Sequence, residues 1–386
     1  MNAPMIVFGE DWGAHPSSTQ HLMTRLAADR EILWVNSIGL RRPRLNAADL
    51  GRVKRKLASM LQPSAGTGCG ACEGSTPGGL AVASARAVSW PGSRLARRIN
   101  RHIIPRSLSR QLDRFGRRRP ILWTSLPSAV DVIGTFDELA VIYYAGDDFE
   151  GLAGVDHAPV GRMERELAAR ADLIIAASET IAAKFPADRT VVLPHGCDLD
   201  RFTTPVAPAA DLPGERPVAG VYGSLADWLA YDLLVETARL RPGWDFVFIG
   251  EASTNAAGLD MLKALPNTRF LGPRHHADLP AYVQNWTASL LHFVDNAQIR
   301  ACNPLKLREY LAAGTPVVST PFPAVMPYRD HVAVVASARA FAGALDAATR
   351  EGRAERQARR HAVADESWVA RAGDLDRLIA RLGRAA

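Results

Sequence analysis

The sequence predicts an α/β protein built from two Rossmann-like domains, each with a parallel sheet. With 386 residues, the chain is long enough for two domains of ordinary size. From residue 5 onwards, short apolar runs alternate with segments of helical periodicity, and the alternation restarts after a linker at 203–217 that is rich in Pro and Ala. We therefore expect a first domain at 1–203, a second domain at 217–365 and a separate C-terminal helix at 366–386.

The composition is that of a globular protein, because 47% of the residues are hydrophobic and 22% are charged. No apolar run approaches the roughly 18–20 residues that a membrane-spanning helix needs. The chain enters its first apolar run at Met5 without a basic leader or a cleavage site, so we expect no secretion signal. Four cysteines without a regular spacing fit a reducing compartment, and together these features predict a cytoplasmic protein.

Positive charge is concentrated in residues 41–119, which contain eighteen Lys and Arg but only three acidic residues. Within this region, the segment 93–119 has arginines between apolar residues at helical spacing on both sides of Pro105, namely Leu95, Ile99, Ile103, Leu108, Leu112 and Phe115. We expect a pair of helices that binds an anionic membrane surface peripherally. A buried stripe beneath a solvated basic face would have the same pattern. Nucleic acid is not expected as a partner, because no known binding module accompanies the charge.

The first half contains five predicted strands, at 5–9, 30–37, 120–128, 140–148 and 172–178. Ligands of open α/β sheets bind beside the loops at the carboxyl ends of the strands. Asp11, Trp12 and His21 follow the first strand and are candidate acceptor contacts, although an exposed loop acid and packed aromatic residues would give the same pattern. Asp147 and Asp148 end the fourth of these strands and are candidate general bases.

Two short motifs have the form of metal sites. Cys69 and Cys72 form a CxxC within the Gly- and Ser-rich segment 63–79, but zinc needs two further ligands and none is near, so we expect a flexible loop. Asp198 and Asp200 form a DxD motif directly before the linker, where a metal site is not expected. We therefore expect neither a metal ion nor another cofactor.

The segment 303–320 predicts a short helix followed by a buried strand. Asn303 is a candidate N-cap, Pro304 suits the first turn, and Gly314 supplies a left-handed stop. Lys306 and Glu309 leave neighbouring parts of one helix face. A helix N-terminus together with a lysine favours a bound phosphate, and a carboxylate can accept hydrogen bonds from sugar hydroxyls. The alternative for this Lys/Glu pair is a surface ion pair.

This stretch, LKLREYLAAGTPVV, resembles the donor-binding signature of the GT-B glycosyltransferases, which have two facing Rossmann-like domains with a cleft between them. Three further motifs, EDWGAHPSSTQHL, YYAGDD and PHGCD, occur in the order seen in bacterial exopolysaccharide glycosyltransferases of group 1, in particular the xanthan-type glucuronosyltransferases. The resemblance implies that the C-terminal helix packs back toward the first domain. It also implies a nucleotide-sugar donor, with UDP as the expected nucleotide, and a lipid-linked or polysaccharide acceptor.

Carried over residue by residue, the resemblance assigns Lys306 to the donor pyrophosphate and Asp147 to the catalytic base. Glu309 stands where the xanthan-type enzymes have Gln, and Ala301 stands where many retaining enzymes have Glu. We therefore expect an inverting, metal-independent transfer in which Asp147 takes the acceptor proton and Lys306 stabilises the leaving diphosphate.

Four further residues of the second half are donor-site candidates. Gly223 and Ser224 would allow the backbone to approach the phosphates, and Arg274 and Phe293 are candidates for holding the nucleotide base. Each of these residues could equally have a purely structural role. They complete a predicted donor set with Asn303, Lys306 and Glu309.

Two other functions fit the same sequence. A non-hydrolysing nucleotide-sugar epimerase has the same two-domain fold, and a binding protein for lipid or nucleic acid could retain the fold without activity. An NAD-dependent enzyme is not expected, because neither half has a GxGxxG motif between a strand and a helix.

Overall fold

The computed structural model describes residues 2–13, 17–38, 78–90, 92–149, 156–252 and 257–385. Cys69 and Cys72 lie outside the described residues, so the predicted flexible loop stays a prediction. The chain divides into two compact units: the first comprises Met1–Pro194 and Arg371–Ala386, and the second comprises His195–Ala370.

The first unit contains a seven-stranded parallel sheet in the order β3-β2-β1-β4-β5-β6-β7. The strands are β1 (Met5–Phe8), β2 (Ile32–Val35), β3 (Leu80–Ala83), β4 (Ile121–Thr124), β5 (Ala140–Ala145), β6 (Leu173–Ala176) and β7 (Thr190–Val192). The α-helices are α1 (Ser18–Leu26), α2 (Arg94–Leu112), α3 (His157–Arg170) and α4 (Glu179–Ala182), with 3₁₀ turns at Asp113–Phe115, Pro127–Val132 and Ala187–Arg189. The inner strands are buried on both faces, as expected for a parallel sheet between helices.

The second unit contains a six-stranded parallel sheet in the order β10-β9-β8-β11-β12-β13. The strands are β8 (Val218–Tyr222), β9 (Asp245–Ile249), β10 (Thr268–Gly272), β11 (Ala288–Leu291), β12 (Val317–Ser319) and β13 (Ala333–Val334). The helices up to β12 are α5 (Leu199–Thr203), α6 (Tyr231–Leu240), α7 (Ala257–Lys263), α8 (Leu279–Val283), α9 (Ala297–Ala301) and α10 (Leu305–Ala313). The later helices are α11 (Ala338–Ala348) and α12 (Arg353–Ala362), with 3₁₀ turns at His276–Asp278 and Pro323–Tyr328. The last helix, α13 (Trp368–Ala385), begins in the second unit and belongs to the first unit from Arg371. The predicted α/β class with two parallel sheets is confirmed.

The boundary between the units lies nine residues before the end of the predicted first domain. Residues 195–203 belong to the second unit, because the backbone of Cys197 pairs with that unit's last residues. The Cys197 N–H donates to the Glu366 carbonyl at 2.8 Å, and the Trp368 N–H donates to the Cys197 carbonyl at 3.1 Å. Phe202 is fully buried in the second unit's core. The C-terminal residues from Arg371 cluster with the first unit.

The basic segment forms one long helix, so the predicted pair of helices broken at Pro105 is wrong. Helix α2 continues through Pro105, although a proline removes one backbone hydrogen bond. Buried side chains on both sides of the proline, Asn100, Ile104 and Leu108, anchor the helix to the unit. Ala96, Asn100 and Ile104 each lie one position after a predicted residue, whereas Leu108 is buried as predicted.

The predicted apolar stripe of α2 is partly exposed. Leu95 is 69% exposed and Ile99 is 39% exposed, while Ile103 is half-buried. Arg94, Arg98 and Arg101 are exposed beside them. Among the described residues, no helix is both long enough and apolar enough to cross a bilayer.

Candidate active site

The second unit has a pocket at the carboxyl edge of its sheet, beside the ends of the adjacent strands β8 and β11. Strand β8 has β9 on one side and β11 on the other, so the chain changes direction across the sheet here. Such a switch point is where open α/β sheets bind their ligands. The pocket has a volume of about 270 Å³ and is lined by Gly223, Ser224, Trp228, Phe293, Gln298, Ile299, Cys302, Pro304 and Lys306.

Four residues of the predicted donor set thus lie together in one pocket: Gly223, Ser224, Phe293 and Lys306. Sequence reasoning missed Trp228 and Gln298, which add an aromatic ring and an amide to the pocket. A signal for Trp228 was present, because it lies four residues after Ser224 in the loop that follows β8. The sequence offers no indication of Gln298, which lies on α9, a helix of only five residues that is too short to show a periodic pattern.

Helix α10 begins at the pocket, and its N-terminus is not capped by a side chain. The N-cap position is Pro304, so the predicted capping role of Asn303 is wrong. Asn303 is buried, and its side-chain oxygen accepts a hydrogen bond from Arg308 Nη1 at 2.5 Å. Within the described chain no side chain caps this N-terminus, so its positive end can receive an anion. The helix ends as predicted at Gly314, whose φ of 79° is left-handed.

Lys306 carries the positive charge of the pocket. Its side chain is half-buried, and its ammonium lies 5.8 Å from the centroid of the Phe293 ring. Lys306 forms no ion pair with any residue that the structure describes. Desolvation lowers the pKa of Lys306 to about 8, while the negative charges of Glu309 and Cys302 oppose this change. A cation in this state gains favourable interactions when a phosphate binds.

Gly223 makes room for the Lys306 side chain. Its φ of +109° lies in a region that L-residues with a side chain rarely adopt. A Cβ atom at this position would lie 2.9 Å from the Lys306 ammonium. The glycine therefore serves two purposes, a backbone turn after β8 and the close approach of a charged side chain.

Glu309 does not line the pocket. Its side chain is buried, one oxygen accepts a hydrogen bond from the Tyr222 hydroxyl, and the other lies 2.7 Å from His276 Nε2. On the far side of the same ring, His276 Nδ1 lies 3.1 Å from Arg201 Nη1. The predicted contact of Glu309 with the donor sugar stays a prediction, and both of its carboxylate oxygens already have partners inside the second unit.

Arg274 also lies outside the lining of this pocket. Its guanidinium donates to Asp211 Oδ2 at 2.6 Å and to the Tyr282 hydroxyl at 3.0 Å. These two hydrogen bonds raise the pKa of Arg274. The predicted contact of Arg274 with the nucleotide base stays a prediction, and the structure shows the side chain tying β10 to the linker segment.

In the first unit, the predicted acceptor residues and Asp147 lie at the carboxyl edge of the sheet. Asp11 and Trp12 follow β1, and Asp147 follows β5. Asp11 Oδ1 accepts a hydrogen bond from the Ser37 N–H at 3.1 Å, and the Trp12 N–H donates to Asn36 Oδ1 at 3.0 Å. These bonds join the loops after β1 and β2, so both residues have structural roles in addition to any ligand contact.

The Trp12 ring packs edge-on against Trp34, with their centroids 5.0 Å apart. His21 is half-buried on α1, and its backbone carbonyl accepts a hydrogen bond from Arg25 Nη1 at 3.0 Å. The structure places His21 on a helix, whereas Asp11 and Trp12 lie in the preceding loop. Acceptor binding by these three residues stays a prediction.

Asp147 and its neighbour Asp148 differ in their partners. Asp148 forms an ion pair with Lys184 at 2.6 Å. Asp147 is exposed and makes no hydrogen bond or ion pair with the residues that the structure describes. Desolvation by the surrounding protein raises the pKa of Asp147, and the negative charges of Glu10 and Asp148 raise it further. A carboxylate with a raised pKa is a better proton acceptor, as a general base requires.

The DxD motif has ordinary surface roles in the structure. Asp198 Oδ2 lies 3.4 Å from Arg201 Nε, and Asp200 lies in the first turn of α5. Within the described ranges, no three His, Cys, Asp or Glu side chains are grouped so that they could hold a metal ion. Metal-independent chemistry stays a prediction.

Similarity to known proteins agrees with this arrangement. Residues 216–350 match the family Glycosyl transferases group 1. A putative teichuronic acid biosynthesis glycosyltransferase of Bacillus subtilis is 33% identical over 110 residues, a segment that spans 28% of this chain and 28% of that protein.

Two solved structures match over almost the whole chain. Sucrose-phosphate synthase from Thermosynechococcus elongatus has a TM-score of 0.70 at 16% identity, with both chains fully covered. Anabaena HepE, solved in complex with UDP and glucose, has a TM-score of 0.63 at 12% identity and covers 98% of this chain and 100% of its own.

The two parallel sheets with their flanking helices have the GT-B fold. Residues 216–350, which include the pocket, match the group 1 glycosyltransferases, so this part of the chain is a domain of that family. Both expectations drawn from the sequence resemblance are confirmed.

Proposed function

We propose that this protein transfers a sugar from a nucleoside diphosphate sugar to a glycan or lipid-linked acceptor during the synthesis of a cell-surface polysaccharide. The observation that carries the proposal is the pocket that combines Lys306, the uncapped N-terminus of α10 and the glycine turn at Gly223. A cation beside an uncapped helix N-terminus suits a diphosphate. The teichuronic acid enzyme and the complex of HepE with UDP and glucose support a cell-surface product and a UDP-sugar.

The pocket supplies the chemistry that a leaving diphosphate requires. When the bond from the sugar to the diphosphate breaks, negative charge increases on the leaving oxygen. In the proposed complex, Lys306 and the N-terminus of α10 stabilise that charge. This is a role that a metal ion has in other enzymes, and the proposal assigns it to the protein.

Asp147 is the proposed general base of an inverting transfer. It takes the proton from the acceptor hydroxyl as that oxygen attacks the sugar. The absence of a hydrogen-bonding partner among the described residues distinguishes it from Asp148, which is paired with Lys184, and desolvation raises the pKa of Asp147. Asp11 is also less suited, because its carboxylate holds the Ser37 N–H.

The donor can be identified by thermal unfolding in the presence of UDP, GDP, dTDP and their sugar conjugates. A ligand at 100 times its Kd stabilises the protein by about 2.7 kcal/mol, so the true nucleotide should raise the Tm clearly. Turnover of the nucleotide sugar that requires an acceptor supports transfer. Conversion of the donor to an epimer without acceptor would indicate an epimerase, and binding without any turnover would indicate a binding protein.

We also propose that α2 brings the protein to the inner face of the cell membrane. Leu95 and Ile99 are exposed between arginines, which is the pattern of a helix that lies on anionic lipid. Trp90, 45% exposed just before the helix, adds an aromatic residue of the kind that favours the membrane interface.

The membrane proposal predicts binding to vesicles that contain phosphatidylglycerol, weakening as salt is raised. Replacing Leu95 and Ile99 by Ser should reduce binding by more than tenfold, because fully burying a Leu or Ile side chain contributes about 1.5–3 kcal/mol. Met261→Ser is the matched control, since Met261 is 43% exposed on the second unit. Equal binding to neutral and anionic vesicles would contradict the proposal.

A further inference from the structure

The loop at 302–304, between α9 and α10, forms one wall of the pocket and is bonded from behind by Arg308. Cys302 and Pro304 line the pocket, and Asn303 between them is buried. The Asn303 side-chain oxygen accepts a hydrogen bond from Arg308 Nη1 at 2.5 Å. Arg308 is itself buried and does not belong to the pocket lining. It therefore contacts the wall of the pocket from the protein interior.

Arg308 is held in turn by two residues that follow α10 in the chain. Its Nε donates to Glu366 Oε2 at 2.5 Å, and the other Glu366 oxygen accepts a hydrogen bond from the Tyr328 hydroxyl at 2.6 Å. The guanidinium also lies 5.9 Å from the centroid of the Tyr328 ring. Because Glu366 neutralises its charge and it lies outside the pocket lining, Arg308 is not a second cation for a ligand.

The far end of this connection is fixed by the backbone. The Glu366 carbonyl accepts the Cys197 N–H at 2.8 Å, and the Cys197 carbonyl accepts the Trp368 N–H at 3.1 Å. All of these residues belong to the second unit. A buried ion pair is a costly way to stabilise a core, because both charges lose water, but it can specify one arrangement. Here it specifies the position of the 302–304 loop relative to this paired backbone.

We propose that Arg308 is a positioning residue that holds the 302–304 loop, and with it the start of α10, where the pocket can receive a diphosphate. Its guanidinium binds Asn303 on one side and Glu366 on the other, and the rigid planar fork fixes the direction of both bonds. Without these bonds the loop samples other positions, and the wall of the pocket loses its shape. The inference rests on the proposed diphosphate site and adds the residue that shapes its wall.

The first test removes the charge that holds Arg308 and changes no residue of the pocket lining. Glu366→Gln keeps the size of the side chain but leaves the guanidinium without its anionic partner. The Kd of inorganic diphosphate is measured by calorimetry, because this probe has neither sugar nor base. A loop that takes the binding position about a tenth of the time raises the Kd about tenfold, and we expect a rise of that order. An unchanged Kd would mean that the ion pair does not act on the pocket.

Glu351→Gln is the matched control. Glu351 pairs with Arg359, which is also buried and donates to the Gly314 carbonyl at the other end of α10 at 3.0 Å. This variant loses a comparable ion pair on the same helix but not the one beside the 302–304 loop, so its Kd should stay within about twofold of the parent value. An equal rise in both variants would mean that any loss of anchoring of α10 weakens binding, and the specific role of Arg308 would be rejected.

Asn303→Ala tests the other end of the connection. It removes the oxygen that Arg308 binds, so the Kd should rise as it does in Glu366→Gln. Combining the two substitutions should add no further loss, because both break the same connection. If the two losses multiply instead, Asn303 acts on the ligand independently of Arg308 and the inference is wrong. Asn267→Ala is the control and should bind as the parent does, since Asn267 is buried in the same unit and donates to two backbone carbonyls, each at 3.1 Å.

Amide hydrogen exchange of the ligand-free protein tests the loop directly. In Glu366→Gln, a peptide that covers 298–307 should exchange about tenfold faster than in the parent, whereas in Glu351→Gln it should keep the parent rate. Unchanged exchange in Glu366→Gln would overturn the inference. Failure of the parent to bind diphosphate would overturn the proposed site, and the exchange rates would still decide whether Arg308 holds the loop.

Arg308→Lys covers the case in which Glu366→Gln does not fold. A lysine keeps a positive charge for Glu366 but has no planar fork, so it cannot bond Asn303 and Glu366 in fixed directions. We expect a higher Kd for diphosphate and faster exchange of the same peptide. Parent values of both would show that the charge alone is sufficient, which would overturn the inference.

Discussion

The loop after β5 in the first unit and the start of α10 in the second unit each contain two charged residues of the same sign, close in sequence. In each place one residue forms an ion pair and the other forms none among the described residues. Asp148 is paired with Lys184, whereas Asp147 has no partner among the described residues. On α10, Arg308 is buried against Glu366 at 2.5 Å, whereas Lys306 faces the pocket without an ion pair in the described chain.

The physical consequence is the same in both places. Desolvation disfavours the charged form, so the pKa of Asp147 is raised and that of Lys306 is lowered to about 8. A paired charge is satisfied within the protein and contributes to structure. A charge that is partly desolvated and unpaired gains most from a ligand, because the ligand supplies the missing partner. We therefore expect Asp147 and Lys306, and not their paired neighbours, to act on ligands.

The sharpest way to break the comparison is to remove the proton acceptor of the first pair. Asp147→Asn keeps the size of the side chain but cannot accept a proton, so we expect kcat to fall by about 10²–10⁴-fold with little change in donor affinity. Steady-state kinetics with the identified donor and acceptor measures this effect. Asp148→Asn is the matched control and should cost much less. Near-normal turnover of Asp147→Asn would exclude it as the base.

The corresponding change in the second pair is Lys306→Ala. Losing a charged hydrogen-bond donor to phosphate costs about 1.5–3 kcal/mol, so the Kd of the nucleoside diphosphate should rise by about 10–150-fold. Calorimetric titration measures the Kd, and unfolding in urea checks that the fold is retained. Lys263→Ala on α7 is a control, since Lys263 is exposed beside Asp260. Equal diphosphate affinity in the parent and Lys306→Ala would remove Lys306 from the site.

A smaller effect is expected from Gly223→Ala. The left-handed backbone at Gly223 would be strained by a side chain at a cost of about 1–3 kcal/mol of folding free energy. The new methyl group would also displace the Lys306 ammonium and weaken diphosphate binding. Gly214→Ala is the matched control, because a Cβ there meets no atom within 4 Å. If Gly223→Ala is as stable as Gly214→Ala and binds normally, the turn has no special role.

The smallest effect is a displacement of the pH profile. A general base works only when unprotonated, so activity should fall as the pH drops through the raised pKa of Asp147. Glu10→Gln removes the nearby negative charge that contributes to this rise. The acid limb of the kcat/KM profile should then move to lower pH, while the value of kcat/KM at neutral pH changes little. An acid limb that stays in place would show that Asp147 is not the group that titrates.

The fold was predictable from the sequence because its signals are local. The apolar runs of β1 and β5 can be recognised as strands without knowing which strands pair with them. Helix α10 ends at Gly314, as the sequence predicts. The same is true of Lys306, since a helix N-terminus after a loop is visible in the order of residues. The predicted loop at 63–79 falls largely outside the described residues and stays a prediction.

Tertiary structure decided what local signals leave open, namely which partner each polar group meets. The sequence shows Asn303 before a helix, but only packing places Arg308 against its side chain and removes it from the cap. On α2, the arginine spacing fits a stripe at either of two neighbouring positions. The observed stripe contains Ile104 and Asn100, and the Asn100 side chain bonds the backbone of Val88.

Glu309 shows the same limit most clearly. The sequence shows that Glu309 lies three residues after Lys306 on the same helix face. Its hydrogen bonds come from Tyr222 and His276, which are 87 and 33 residues away along the chain. Helical periodicity determines the face that a side chain occupies. Long-range packing determines whether that side chain is available to a ligand or is already satisfied inside the protein.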